Sequence, residues 1–549
     1  MKKIVTFLTC LLLIGSVAKA QNFDAGGSVI NPSTITAFDM FNIGQSQAIL
    51  STARSAALAG AMTSLGADPS TMSINPAGMG MYRHNEVAFT PMMGFARAKN
   101  GNASSFESNS KNRFGIANFS MVARLRESGT GVTAINMGLA YNRLADFNYQ
   151  TSFANVGQPY NNSIADVFAG MLHSGGISRD YLKGNYNGFG EFMWERIDPT
   201  YWGAVLGYKT GLINAQDTNW KRDMIAPDAT VDGYNTVESQ GSLGEWVWSL
   251  GMNFGSKFYL GFSLSASLLN REVHTYYGEG YRYSSEPEID YRMDYFNYDQ
   301  ISKMKGTGIN FKIGAIYRPI ENLRIGVAFH TPTYYNVTYS YSAGMTSRVK
   351  ALNNVDDYTT DSNGYIDPPF SERTIELIDD GDYSWRFTTP MRLMVGVSYT
   401  VAKQFILSVD YQRDFNTTMR MKNSPYGALY KDYIKHNFKG SNALRVGAEW
   451  RFIPQMAVRM GYSVSGSGVA DKNAIYSSPV IYNTQYMTSG LGIALSKHFS
   501  IDVAYIYSSS HLTPYKAFYG YDNRLDYAAP TVNSTINRHT AMLTFAIHF

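Results

Sequence analysis

Cysteine is almost missing from this chain, with one thiol, Cys10, in 549 residues. It lies inside the N-terminal apolar segment Ile4–Ile14, so disulfides play no part in the stability of the rest of the chain. Charge is scarce too. Asp, Glu, Lys and Arg supply 16% of residues, against roughly 25% in average soluble chains. No apolar run after residue 20 approaches the roughly 20 residues that a spanning helix needs, which excludes a helical membrane protein. An excess of basic charge is also lacking: removing Lys2, Lys3 and Lys19 from 47 basic residues leaves 44 against 43 acidic ones. Phosphate backbones require a basic stripe, so no nucleic-acid partner is expected.

Catalytic signatures are missing as well. The nine histidines are scattered, and none shows the His-Glu-x-x-His spacing of a metal site. Gly461-Tyr462-Ser463-Val464-Ser465 lacks the last glycine of a nucleophile elbow. Asp361-Ser362-Asn363-Gly364, with Asp367 following, departs from EF-hand order and reads as a solvated turn. There is no Gly-rich phosphate loop. The expectation is therefore a protein that is not an enzyme, with no catalytic residue, metal or cofactor.

What the chain has is aromatic residues, 14% of the total with 40 Tyr and 30 Phe, at a mean hydropathy of −0.22. Many aromatics and no hydrophobic helix are compatible if apolar residues alternate with polar ones in a lipid-facing sheet. Export is signalled first. Lys2 and Lys3 precede the apolar Ile4–Ile14, and Ala18-Lys19-Ala20 gives a small-x-small cleavage site before Gln21, so residues 1–20 read as a signal peptide. Cys10 has too little apolar sequence before it for a lipoprotein.

Residues 21–84 read as a lead and a small plug. Gln21–Gln45 is polar with no clear period and is expected to be extended and mobile. Ser46–Gly80 is rich in Ala, Gly and Ser, with a helical pattern from about Ile49 to Met62, and ends in the turn Asn75-Pro76-Ala77-Gly78. Its small residues (Ala53, Ala56, Ala57, Ala59, Gly60, Ala61) can pack closely against a wall but make no core of their own.

Residues 85–549 read as that wall. Leu444, Val446, Ala448, Trp450 and Phe452 share one face, and Arg445, Gly447, Glu449 and Arg451 the other; Leu323–His330 and Phe258–Ser265 alternate likewise. A soluble sandwich alternates in the same way, but three features favour a membrane barrel. Short connections (Glu127–Gly131, Gly255–Lys257, Pro319–Asn322, Val401–Gln404, Ile453–Gln455, Lys497–His498) alternate with long ones, among them Asp146–Ser242, Thr275–Lys305 and Ala343–Asp382. Trp246, Trp248, Tyr334, Tyr335, Tyr505 and Tyr507 gather at strand ends as an interfacial girdle does. The last face, Ala541 to Phe549, ends on Phe, resembling the terminal signal that barrel-assembly machinery reads. The expected fold is all-β: a closed antiparallel transmembrane β-barrel of about 14 strands with a small helical hatch in its lumen. Arg445, Glu449 and Arg451 are expected to form a self-paired luminal charge cluster.

The long connection Asp146–Ser242 carries two apolar stripes at helical spacing. Phe168, Met171 and Leu172 belong to the first, and Trp202, Val205 and Leu206 to the second, which starts at Asp198-Pro199 as N-cap and N1. They are expected either to form a mutual mini-core or to offer a greasy cleft that captures ligand.

A signal peptide, a small-residue plug with Asn75-Pro76-Ala77 just before the first strand, and alternating strands ending in Phe resemble the FadL/TodX family of outer-membrane long-chain fatty-acid and hydrocarbon transporters. The resemblance implies a hatch motif at Asn75, Pro76 and Ala77, capture of hydrophobic ligand by outer loops, and exit through a gap in the third strand, where Asn136, Gly138 and Asn142 are candidates. The lead before the hatch departs from the family. The expected function is passive uptake of hydrophobic small molecules such as long-chain fatty acids by a monomer in the bacterial outer membrane, in contact with the lipid bilayer and its apolar ligand. The alternative is a structural or binding barrel, since related barrels serve type IX secretion.

Overall fold

The structure is a computed structural model. It describes residues 36–45, 50–101, 105–107, 110–127, 131–159, 163–222, 224–284, 291–351, 373–378, 383–422, 427–474, 480–518 and 529–549. The signal-peptide segment and the Asp361–Asp367 turn lie outside these.

Fourteen antiparallel wall strands follow one another around a closed barrel. They are β1 (Glu86–Gly101), β2 (Ser110–Glu127), β3 (Val132–Asp146), β4 (Ala229–Phe254), β5 (Phe258–Tyr283), β6 (Tyr291–Ile320), β7 (Leu323–His330 and Tyr334–Ala351) and β8 (Tyr383–Thr388 and Met391–Val401). The wall continues with β9 (Phe405–Phe415), β10 (Ser441–Ile453), β11 (Met456–Ser465), β12 (Ile481–Ala494), β13 (Phe499–Leu512) and β14 (Asn533–His548). Closure runs the full height of β1, from Glu86 opposite His548 to Gly101 opposite Asn533. Asn85 and Phe549 then exchange backbone bonds of 3.0 and 3.1 Å. Hydrocarbon leaves no water for unpaired backbone groups, so a wall that spans it must close in this way.

Alternation sets the two faces. Leu264, Ile313, Val327, Val395, Val409, Leu444, Leu491 and Val503 point outward and exposed, forming the apolar belt that only lipid can cover. Ser249, Ser263, Asp410, Arg445 and Glu449 point inward and buried. Tyr334 is exposed but Tyr335 is not: neighbouring residues on a strand face opposite ways, and Tyr335 turns into the interior to stack on Phe387 with ring centroids 5.3 Å apart.

Three sequence expectations need correction. The spans Thr275–Lys305 and Ala343–Asp382 are not loops throughout. The ladder of β5 with β6 continues to Gly280 opposite Tyr295, and β6 has 30 residues where about 9–11 cross a bilayer. Above the belt these strands lose their apolar outer face, so hydropathy alone reads them as connections. Second, the lead is not wholly extended, since Ala37–Gly44 forms helix α1. Thr36 and Asp39 make a reciprocal capping box of the kind that starts helices. Phe38, Met40, Phe41 and Ile43 are buried, with Asp39 and Asn42 half-buried on the remaining side, and eight residues give too short a stripe to read. Third, the helix expected over Ile49–Met62 is only Ala53–Ala57, α2. It stops at Ala59 and Gly60, both at positive φ.

An arginine at Val409, near the middle of the belt, is expected to destabilise the barrel by about 2–4 kcal/mol, measured as unfolding from lipid vesicles. An equal loss with the same substitution in an outer loop would show that the belt does not face lipid.

Candidate functional site

The lumen at belt height is filled by residues 50–82. They contain α2, α3 (Thr71–Ile74) and a 3-10 turn over Pro76–Met81. Almost all of this segment is buried, yet it has little regular structure to satisfy its own backbone. Its turns pair part of that backbone, from Ala56 N on the Thr52 carbonyl to Tyr82 N on the Met79 carbonyl, and the wall pairs more of it. Ala53 N donates to Thr544 Oγ1 (2.8 Å), the Ala57 carbonyl accepts from Thr488 Oγ1 (2.8 Å), and Thr63 N donates to Asp410 Oδ2 (2.7 Å). The Met72 carbonyl accepts from Ser263 Oγ (2.8 Å), and Met79 and Tyr82 carbonyls from Asn136 Nδ2 (2.7 and 3.1 Å). His330 Nε2 lies 2.9 Å from the Ile74 carbonyl. Side chains from six strands thus complete one segment.

Close approach is possible because the wall is shaved where the segment lies. Gly251 faces Gly261, and Gly261 faces Gly314, across β4, β5 and β6. A Cβ on Gly251 would overlap the backbone at Met79–Gly80, one on Gly261 the Pro76 carbonyl, and one on Gly314 the Asn75 side chain. Gly326 is shaved in the same way against the Thr63 carbonyl, and Gly447 and Gly461 against Leu58 and Ala59. Asn75 is the pin of this seat: its Oδ1 accepts from Ala77 N (3.1 Å) and its Nδ2 donates to the Thr63 carbonyl (2.6 Å). Pro76 at the first helical position fixes φ where no backbone donor is needed.

Charges fix the other side. Arg54 of the hatch meets Glu449 at 3.2 Å, and Arg459 bridges Glu449 (2.7 Å) to Asp502 (2.5 Å). Arg451 reaches Glu449 at 3.4 Å, whereas Arg445 turns to Gln412 at 2.5 Å. The expected cluster is therefore split: Glu449 collects arginines from the hatch and the wall, and Arg445 lies apart.

One stretch of wall is incomplete. The ladder of β2 with β3 runs from Glu127 opposite Ala134 up to Asn118 opposite Asn142 and ends there, while β2 stays paired with β1 as far as Ser110. A bulge at Thr90/Pro91 lets Ala117 slip in the same region. Above Asn142 the space is taken by Arg143, whose Nε donates to the Ile116 carbonyl (3.1 Å) and whose guanidinium stands over Gly115. Phe114, 73% exposed, and Ile116 put this interruption at belt height. Its lower rim is tied to the hatch, because Asn142 accepts from Ser51 (2.6 Å) and Asn118 (2.7 Å) and donates to Ser73 (2.7 Å).

Beyond the belt, α4 (Ile164–Ser174) and α6 (Trp202–Lys209) pack on the inner face of the extended strands; α5 (Arg179–Lys183) lies between them in the chain. Ser163 caps α4, and its hydroxyl also donates to Glu279 (2.6 Å), which takes Ile164 N (2.8 Å), Tyr277 (2.6 Å) and Tyr281 (2.7 Å) as well. Burial pushes the Glu279 carboxyl upward against these bonds. Burial likewise pushes Asp166 up to about 6, although Arg222 at 2.6 Å pulls the other way.

Residues 245–543, more than half of the chain, match the family described as outer membrane protein transport protein (OMPP1/FadL/TodX). The chain belongs to that family. Among solved structures it is similar to a Pseudomonas aeruginosa FadL homologue (TM-score 0.51, 10% identity, 91% of this chain and 98% of that one). It also aligns with the P. putida toluene transporter TodX (0.46, 11%, 90% and 97%) and the CymD monoaromatic hydrocarbon channel (0.46, 12%, 93% and 99%). At such identity the likeness concerns the fold. No curated protein matches the chain.

In this member of the FadL/TodX family, Asn75, Pro76 and Ala77 lie in the lumen against the glycine row. Gly138 is paired on both sides, with Val122 and Ser249, and gives room to Met72 and Met79; the ladder is whole at that position. Asn142 stands at the rim of the interruption. Phe168, Met171, Leu172, Trp202, Val205 and Leu206 come together, each no more than 4% exposed, in a shared core with Tyr298 and Tyr341. They line no open cleft, so capture by them would require the cap to open. Sequence reading missed Arg143, the Gly251–Gly261–Gly314 row and α1. The row was visible only as glycines on polar faces.

Two outcomes are expected of this FadL/TodX-type barrel. Gly314→Ala alone is expected to unseat the turn and cost about 1–3 kcal/mol, read as faster maleimide labelling of a cysteine introduced into the hatch. Asn75→Ala added to it should restore part of the loss, and simple additivity would mean that the two do not touch. For the cap, a raised Asp166 adds stability that is full below about pH 4 and lost as pH rises through about 6, up to about 3 kcal/mol. Hydrogen exchange of α4, corrected for intrinsic rate, should therefore show falling protection from pH 4 to 7. Asp166→Asn should flatten the curve, and an unchanged curve would contradict the assignment.

Proposed function

We propose that the protein is a passive outer-membrane channel for hydrophobic small molecules such as long-chain fatty acids. The observation that carries this reading is the pairing of a stoppered lumen with a wall interruption at belt height, joined by Asn142. A solute admitted at the outer cap gains free energy by leaving water, about 25 cal/mol per Å² of apolar surface. It needs no energy source to move on to the bilayer. In this reading a shift of the Ser51–Ser73 stretch frees Asn142, and rotation of Arg143 away from the Ile116 carbonyl opens the wall sideways. Arg143 has no regular ladder bond to break there, so the step leaves the rest of the sheet intact. The seam between β1 and β14 is closed by pairing, which supports a barrel that works as a single copy.

Vesicles carrying the protein are expected to take up labelled oleate faster than empty ones, and Arg143→Ala to raise the rate severalfold. Uptake no faster than in empty vesicles would sink the proposal, and co-purification with secretion partners would then favour a structural barrel.

A further inference from the structure

Helix α1 lies across the interior on the outer side of the hatch, held at three separated points of the wall. Its Asp39 carboxylate meets Arg271 of β5 at 2.9 Å. Its last carbonyl, at Gly44, accepts from Arg392 of β8 (2.8 Å), and the following Gln45 side chain donates to the Ile481 carbonyl of β12 (2.9 Å). Between these polar ends Phe38, Met40, Phe41 and Ile43 are each no more than 2% exposed. The two phenylalanines pack on helix α7 (Gly427–Asn437) and just past it, with ring centroids 5.8 Å from Phe38 to Tyr433 and 5.0 Å from Phe41 to Phe438.

The arrangement is that of an amphiphile in its site: one carboxylate on an arginine, and an apolar body in an aromatic pocket. Arg271 also keeps a donor in reserve, because its Nε is buried and has no hydrogen-bond partner among the described residues. A free carboxylate, with two oxygens and no helix to cap, can turn to the guanidinium edge formed by Nε and Nη2 and take two parallel bonds there. Asp39 cannot do so, because its second oxygen accepts from Thr36 N (3.1 Å) and Thr36 Oγ1 (2.8 Å).

We infer that α1 is an internal competitor seated in a binding site for a carboxylate-headed amphiphile, with Arg271 as the head-group anchor and Tyr433 and Phe438 lining the tail pocket. The inference rests on the channel reading and narrows its ligand class, because neutral hydrocarbons have no use for Arg271. Ligand and helix exclude each other, so the affinity observed is the intrinsic one reduced by the fraction of molecules whose site is free.

The test uses the full chain held in amphipol, with oleate and oleyl alcohol as probes that share one tail. Phe38→Ala/Phe41→Ala weakens the helix and leaves the wall untouched. If α1 fills its seat in nine molecules of ten, this variant should bind oleate about tenfold more tightly. Adding Arg271→Gln should remove the preference for oleate over the alcohol. In a separate variant, Ile43→Cys, a maleimide should react slowly and then about tenfold faster with saturating oleate, by the same population shift; this readout needs no deletion and so survives if the alanine variant misfolds. Equal oleate binding by wild type and the alanine variant, or a labelling rate that oleate leaves unchanged, overturns the competitor. A preference that survives Arg271→Gln overturns the anchor. Absence of binding in every form removes the channel reading as well.

Discussion

A stretch of backbone whose own turns leave amides and carbonyls unmatched, enclosed in a closed cylinder, has to find the remaining partners in the wall. That constraint organises this protein. Each buried carbonyl or amide left unmatched costs free energy on the scale of a lost hydrogen bond. The wall accordingly presents Thr544, Thr488, Asp410, Ser263 and Asn136 to the hatch backbone. The glycines at 251, 261 and 314 are the steric counterpart of the same constraint, since they let backbone lie on backbone. The luminal face of the strands is therefore specified by what it holds, whereas the outer face is specified only by being apolar.

The same logic joins parts that lie far apart in sequence. Asn142 serves the hatch through Ser51 and Ser73 and the wall through Asn118, so the rim of the incomplete ladder and the plug share one side chain. Arg54 and Glu449 couple the hatch to β10, and Arg459 extends that coupling through Asp502 to β13. An ion pair in such a setting is weak as a source of stability, because desolvation offsets much of its attraction. Its role here is positional: it fixes which way round a segment of small residues sits.

Much of the barrel was legible in the residues because a two-residue period against lipid leaves a strong trace. Leu444 to Phe452 shows it, and so do the six short turns. The helices of the outer cap were legible too, because Phe168 and Leu206 lie on stripes and Asp198-Pro199 opens the second helix. What stayed hidden lacked one of these contrasts. Helix α1 has only eight residues, too few turns for its apolar side to be read as a stripe against Asp39 and Asn42. The outer halves of β5, β6 and β7 alternate between core and water without the lipid-facing residues that mark the belt. Tyr335 could not be separated from Tyr334 without a register. Arg143 occupies the wall interruption through a bond to the Ile116 carbonyl, a pairing between strands that no local pattern encodes.

Hydrogen exchange of the amides of Ala53, Thr63 and Ala77, measured on the protein in lipid without added ligand, tests the central claim most directly. Ala53 and Thr63 donate to wall side chains and Ala77 to Asn75 in the seat, so the account predicts protection comparable with that of the wall strands. Exchange at the rate of an open loop would contradict it, because the hatch backbone would then be bonded to water and the barrel would be a pore with a loose tether.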